Sequence, residues 1–174
     1  MNSDEEDFAL VRDFKNGDDK AFDRIFEKYQ VPLYSICYRY TRNEADAREL
    51  TQDVFFKVYN NLRKFEGKSK FFTWLYRIAV NSCISFKRKP QPQFQTTELE
   101  TRTISMDKRV RMKIAIDDAL SKLPERQRMS FVLHHYQGYT FDEVAGIMGI
   151  TSGAAKANNY HAIMKLREFL KDWL

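Results

Sequence analysis

Glycine and proline are scarce in this chain, at six and four of its 174 residues, so few positions interrupt a helix. Long stretches instead carry apolar side chains at i, i+3, i+4 and i+7, and the predicted fold class is all-α. Cysteine is scarcer still. Cys37 and Cys83 stand apart, with no C-x-x-C pair and no adjoining histidine, which suits buried thiols in a reducing compartment and gives no reason to expect a metal. No apolar run approaches the roughly 20 residues that cross a membrane. The opening MNSDEEDF is acidic and polar, unlike a signal peptide, so a cytoplasmic protein without membrane insertion is expected. What the chain does have is apolar and charged surface, 43% hydrophobic and 30% charged, enough of each to fold and stay soluble.

The formal charge of +5 is not spread evenly. Between Arg63 and Lys89 eight Lys and Arg residues stand against one acid, Glu66, whereas the residues before Arg63 hold nine basic and thirteen acidic groups. A positive patch this concentrated is an electrostatic footprint for a polyanion. The same stretch, FEGKSKFFTWLYRIAVNSCISFKRK, is aromatic. Ser69 is expected to cap a helix that begins near Lys70 and runs until Pro90. Phe71, Leu75, Ile78 and Ala79 then share a core face, while Thr73, Arg77 and Asn81 form a polar stripe with Trp74 and Tyr76 on either side. Aromatic planes beside Lys and Arg suit unstacked bases and phosphates, so nucleic acid is the expected ligand.

Upstream, Asp4 to Asn16 reads as a short helix closed by Gly17, with the acidic run from Asp4 to Asp7 expected as a disordered tail. Asp18 should cap a long helix to about Thr41, bent at Pro32. Asn43 opens the next helix, with Ala47, Leu50, Val54, Val58 and Leu62 facing inward. Its outward positions Glu49, Gln52, Asp53, Phe56 and Asn60 make a continuous face of acids, amides and one large aromatic. A solvated face rarely carries phenylalanine. Phe56 therefore reads as an apolar anchor for another protein inside a polar rim, with gap-filling against a neighbouring helix as the alternative.

From Pro90 to about Asp107 two prolines, several Gln and Thr and little apolar periodicity mark a flexible linker between two small helical domains, 1–89 and 108–174. Beyond it Val110 to Ser121 is helical, and Pro124 is expected at the first position of a helix that ends at Gly138. Thr140 and Glu143 form a capping box, Gly149 ends that helix, and Thr151 caps the last one. A short helix, a Gly-containing turn and a longer helix that starts with small residues make a helix-turn-helix, whose second helix enters the major groove. Ser152, Gly153, Ala154 and Ala155 let that N-terminus approach a phosphate closely. Lys156 and Asn158 follow as candidate contacts, to phosphate or guanine and to adenine.

Four segments, KNGDDKAFDRIFEKY, ELTQDVFFKVYNNLRKFEGKSKFFTWLYRIAVN, LPERQRMSF and QGYTFDEVAGIMGITSGAAK, look like the signatures of one family, in its order and spacing. In them the chain resembles the extracytoplasmic-function group of bacterial sigma-70-type transcription initiation factors, the small members that keep only regions two and four. The resemblance implies a region 2 helical bundle over 1–89, a linker over 90–107 and a region 4 helix-turn-helix over 108–174. It implies that Glu49, Gln52, Asp53, Phe56 and Asn60 dock on the clamp-helix coiled coil of core RNA polymerase. Phe65, Lys68, Ser69, Lys70, Phe72, Thr73, Trp74, Arg77 and Asn81 would recognise and melt the minus-10 promoter element, with Lys87, Arg88 and Lys89 adding phosphate contacts. Thr151, Ser152, Gly153, Ala154, Lys156, Ala157, Asn158 and His161 would read the minus-35 element. Core polymerase and promoter DNA are the implied partners, with an anti-sigma factor as a further one. No cofactor, small-molecule substrate or catalysis is implied.

Asn158, Asn159 and Tyr160 depart from the family pattern. Asn159 falls on the apolar stripe with Ala155, Leu166 and Leu170, where a buried amide finds partners or costs roughly 1–3 kcal/mol. Either Tyr160 takes over the packing or the helix turns slightly. Two other functional readings compete. A stand-alone helix-turn-helix regulator accounts for Thr140 to Leu174 but leaves the basic aromatic stretch and Phe56 idle. Catalysis by His134, His135 and Glu143 is poorly supported, because adjacent histidines point to different helix faces and no H-E-x-x-H or carboxylate cluster accompanies them.

Overall fold

The computed structural model describes residues 3–86 and 108–173, and every regular element among them is helical. The expected linker, and the phosphate contacts expected of Lys87, Arg88 and Lys89, lie outside the described residues.

The first unit holds α1 (Ser3–Lys15), α2 (Lys20–Thr41), α3 (Glu44–Leu62) and α4 (Phe71–Ser85). Asp4, Glu5 and Glu6 occupy the first turn of α1, where the helix dipole favours negative charge, and Gly17 turns the chain after it at φ +101°. The acidic run is therefore helix and not a disordered tail. Asp7 is buried, accepting from the Tyr29 hydroxyl at 2.5 Å and from Lys28 Nζ at 2.6 Å. Those two donors replace the carboxylate's lost hydration and pin α1 to α2. Asp18 accepts from the Lys20 amide at 3.0 Å, and α2 then continues through Pro32 to a left-handed close at Arg42. Asn43 caps α3 by accepting from the Asp46 amide at 2.9 Å, and the whole inward stripe of α3 is buried. At α4 the expected cap fails. Lys70 takes the flanking extended position, so Ser69 lies one residue too far out, and its hydroxyl donates to the Lys70 carbonyl at 3.3 Å instead.

The second unit holds α5 (Lys108–Ser121), α6 (Glu125–Phe131), α7 (Phe141–Met148) and α8 (Ser152–Phe169), with a final 3-10 turn at Lys171–Trp173. Pro124 stands just before α6 with extended backbone, one residue earlier than expected, and its carbonyl accepts from the Arg128 amide at 2.9 Å. From Val132 to Tyr136 the chain widens into a π turn that sequence periodicity does not signal. The capping box of Thr140 and Glu143 is complete, Gly149 is left-handed at φ +65°, and Thr151 accepts from the Ala154 amide at 3.1 Å.

One apolar core runs through both units. Met129, Val132, Leu133, Val144, Ala145, Ile147 and Ala155 belong to the same buried cluster as the inward faces of α1 to α4. A smaller cluster of Ala119, Leu120, Leu123, Ala162 and Leu166 holds α5 on α8. Around the seam, Arg128 donates to the Tyr40 carbonyl at 3.2 Å, Tyr40 donates to Glu125 at 3.0 Å, and Arg39 lies 3.5 Å from the Tyr136 ring centre. α7 thereby lies on α4, the helix of the basic aromatic stretch.

Candidate nucleic-acid interface

On α3 the side chains alternate sharply. Phe55 is buried against Phe26, ring centres 4.6 Å apart, while the next residue, Phe56, is 69% exposed. Glu49, Gln52, Asp53 and Asn60 are exposed on the outward face with it, as the helical spacing predicts. Phe56 fills no gap against a neighbouring helix.

The residues expected to meet minus-10 DNA do not form one surface. Phe65 is buried, set between Phe71 and Trp74 at ring-centre distances of 5.7 and 5.2 Å, so it supports the site from beneath. Lys68 and Lys70 project from the loop, Lys68 beside Glu66 and Lys70 at 2.9 Å from Asp4, with Ser69 half-buried between them. The ion pair with Asp4 raises the pKa of Lys70. Trp74, Ile78, Asn81 and Ser85 share one face of α4 and line a cleft of about 390 Å³ against Lys57, Asn61 and Lys64 at the end of α3. Lys57 donates to Ser82 in its wall at 2.9 Å.

Phe72, Thr73 and Arg77 face the other way, toward α7. Phe72 stacks on Tyr139 at 5.3 Å with the planes 8° apart, and Arg77 donates to the Gly146 carbonyl at 2.5 Å. Thr73 is buried there, its methyl 3.2 Å from where a Cβ on Gly146 would sit. Tyr76, expected on the flank of the polar stripe, is buried in this junction, where loss of hydration and the Tyr139 contact hold its phenol protonated. Of the stripe, Thr73 is covered by the second unit, Arg77 is tied to it while remaining exposed, and Asn81 stays at the open cleft, a division that the spacing within α4 does not reveal. Lys57, Asn61 and Lys64 are the cleft residues that sequence reasoning missed. Their signal was the spacing of Lys57 and Asn61, i and i+4, at a helix end next to the basic run.

The first turns of α8 are accessible. Thr151, Gly153, Lys156, Ala157 and His161 are exposed, and Ser152, Ala154 and Asn158 half-exposed. Ser130 donates to the Ala155 carbonyl at 2.9 Å and fixes α8 against α6. Tyr160 is 60% exposed and does not take over the packing, whereas Asn159 stays on the buried stripe. His134 is stacked on Phe141, with Nδ1 2.8 Å from the Tyr139 carbonyl, and Glu143 is used in the capping box. No group of three potential metal ligands occurs among the described residues. No described helix is long and apolar enough to cross a membrane.

Residues 25–92 match the family described as Sigma-70 region 2, and residues 113–166 the family described as Sigma-70, region 4. The ECF RNA polymerase sigma-E factor of Escherichia coli (strain K12) is 30% identical to this chain over 172 residues, which cover 90% of each. The chain belongs to the extracytoplasmic-function sigma factors of the sigma-70 family. As a sigma factor it serves transcription initiation, binding core RNA polymerase and promoter DNA. The fold of the sigma factor is also that of CnrH, solved in complex with the cytosolic domain of CnrY, at a TM-score of 0.74, 23% identity and coverage of 96% and 98% of the two chains. The sigma factor RpoE of Bartonella quintana, solved with the anti-sigma factor NepR, is similar over 87% of this chain and 98% of its own, with a TM-score of 0.66 and 22% identity.

Proposed function

We propose that this sigma factor docks on the clamp-helix coiled coil of core polymerase through Glu49, Gln52, Asp53, Phe56 and Asn60. In this reading residues 1–89 carry polymerase docking and minus-10 melting, 90–107 join the units, and 108–174 read the minus-35 element through the first turns of α8. The cleft beneath Trp74 carries the reading. It is roomy enough for a base, it has one aromatic wall, and Lys57, Lys64 and Asn81 stand around it. Extruding a base costs a few kcal/mol, of which stacking on an aromatic side chain returns roughly 1–3 kcal/mol. Lys68 and Lys70 add contacts to phosphates that weaken with salt. The buried Phe72 and Thr73 reach the separated strand only after α7 leaves α4, and Arg77 must give up the Gly146 carbonyl, so polymerase docking on the exposed α3 face precedes that release. An anti-sigma partner is supported by the complex of the Bartonella quintana relative with NepR. The chain acts in the cytoplasm with the polymerase and performs no turnover of its own.

The test is run-off transcription by core polymerase on a genomic promoter library, with wild type, Phe56→Ala and Trp74→Ala. New starts should require the protein. Phe56→Ala should lose polymerase affinity by tenfold or more, on the order of a binding hot spot, without a loss of thermal stability. Trp74→Ala should keep that affinity and lose open complexes. A folded wild type that binds duplex DNA but neither binds polymerase nor yields new starts would make it a stand-alone regulator.

A further inference from the structure

α1 lies ahead of residues 25–92, where the match to region 2 begins, and its inner face is already accounted for by the core. Three of its outer residues, Asp4, Phe8 and Lys15, nonetheless reach one place, the loop from Arg63 to Lys70. Lys15 Nζ donates to the Phe65 carbonyl at 2.5 Å. Phe8 stacks on the Phe65 ring at 6.2 Å with the planes 27° apart, and its edge lies 3.6 Å from the position of a Cβ on Gly67. Gly67 is left-handed there, at φ +73°, so the loop backbone turns directly over the Phe8 ring. Asp4 holds Lys70 at the far end of the loop. The contacts of Lys15 and Phe8 lead inward through Phe65 to Trp74, the aromatic wall of the cleft.

We propose that α1 is a brace for the melting loop, with Lys15 and Phe8 as positioning residues that hold Phe65, and through it Trp74, in the geometry that receives an unstacked base. The inference rests on the cleft reading given above. A loop ordered in advance loses less conformational freedom when DNA binds, and a carbonyl tied to a lysine cannot swing away from the strand. The brace is itself anchored elsewhere, by Asp7 between Lys28 and Tyr29 and by Leu10, Val11 and Phe14 in the core. Phe8 is 40% exposed and Lys15 is exposed, so both can be changed while α1 stays docked.

Full-length protein carrying Lys15→Met, Lys15→Arg or Phe8→Ala is assembled with core polymerase on a promoter that wild type opens, and melting is followed by 2-aminopurine fluorescence in the minus-10 element. Thermal unfolding confirms that each variant is folded. Lys15→Met should open the promoter about tenfold or more slowly, on the scale of one lost charged hydrogen bond, and Phe8→Ala about fivefold more slowly, both with polymerase affinity unchanged. Lys15→Arg, which still offers a donor to the Phe65 carbonyl, should recover most of the rate. Amides of residues 64–69 should exchange faster in Lys15→Met than in wild type. Wild-type opening rates in both defective variants overturn the brace, and so does a loss of polymerase affinity in proportion to the loss of melting. If wild type itself opens no promoter, the cleft reading falls first and takes the brace with it.

Discussion

Asn159 is 6% exposed, and its side-chain oxygen meets no hydrogen-bond partner among the described residues. An apolar residue of similar size removes that desolvation cost, about 1–3 kcal/mol. Asn159→Leu should therefore raise the melting temperature, by roughly 2–4 °C for each kcal/mol recovered in a chain of this size. A lower melting temperature in circular dichroism would show that the amide is satisfied. Nearby, His135 has its pKa pulled below its ordinary value by burial first and by His134 second. A base held below its free value costs stability as pH falls beneath 6.5, because the unfolded chain takes the proton first. The melting temperature of the wild type should therefore fall on acidification below pH 6.5. Position 159 was legible as a problem, since helical spacing alone puts it on the stripe. That Tyr160 stays outside was not, because packing between α6 and α8 decides which side the stripe faces.

Among elements, the α4–α7 junction is the one whose disruption has the clearest reading. A glycine within a helix costs about 1 kcal/mol relative to alanine. At Gly146 the return is close approach: Thr73 packs where a side chain would be, and Arg77 reaches the bare carbonyl. Gly146→Val should lift α7 from α4, seen as faster amide exchange in both helices, and should strengthen binding of the free protein to single-stranded minus-10 DNA severalfold as Phe72 and Arg77 come free. Unchanged exchange with unchanged affinity would remove the junction as a barrier. Local caps were readable here because a cap is a bond within three residues, as at Asn43, Thr140 and Thr151. Ser69 and Pro124 missed by one residue, and the π turn at Val132–Tyr136 was invisible, because contacts distant in sequence set those boundaries.

The molecule as a whole is too small, in this arrangement, for the task of its family. A compact chain of this length has a radius of gyration of about 16 Å. Elements centred on positions minus-35 and minus-10 lie about 25 base pairs apart by their names, roughly 85 Å of duplex at about 3.4 Å per base pair. If each unit reads its own element, as proposed, the units separate on the promoter: the rim of the seam carries contacts that water and DNA can replace at Arg39, Tyr40, Arg77 and Arg128, and the apolar core beneath it must open as well. Fluorophores on cysteines introduced at the exposed Glu27 and Glu168 should show efficient energy transfer in the free protein and a marked fall with core polymerase and promoter. Cys37 and Cys83, both fully buried, will not take label in the native state. Efficiency that stays high while transcripts form would mean that the closed arrangement is the working one.

Helical spacing, the cluster of eight basic residues, the caps and the order of four family segments were enough to determine an all-α sigma factor and to set Phe56 on an exposed outward face. These are local or additive properties, carried by residues a few positions apart or by a sum of charge. The tertiary structure alone decided that the residues expected to meet the minus-10 element divide between an open cleft and the junction with α7, and that α1 reaches the loop before α4. Both depend on which helix face meets another helix, and that is settled by the packing of apolar surfaces far apart in the chain.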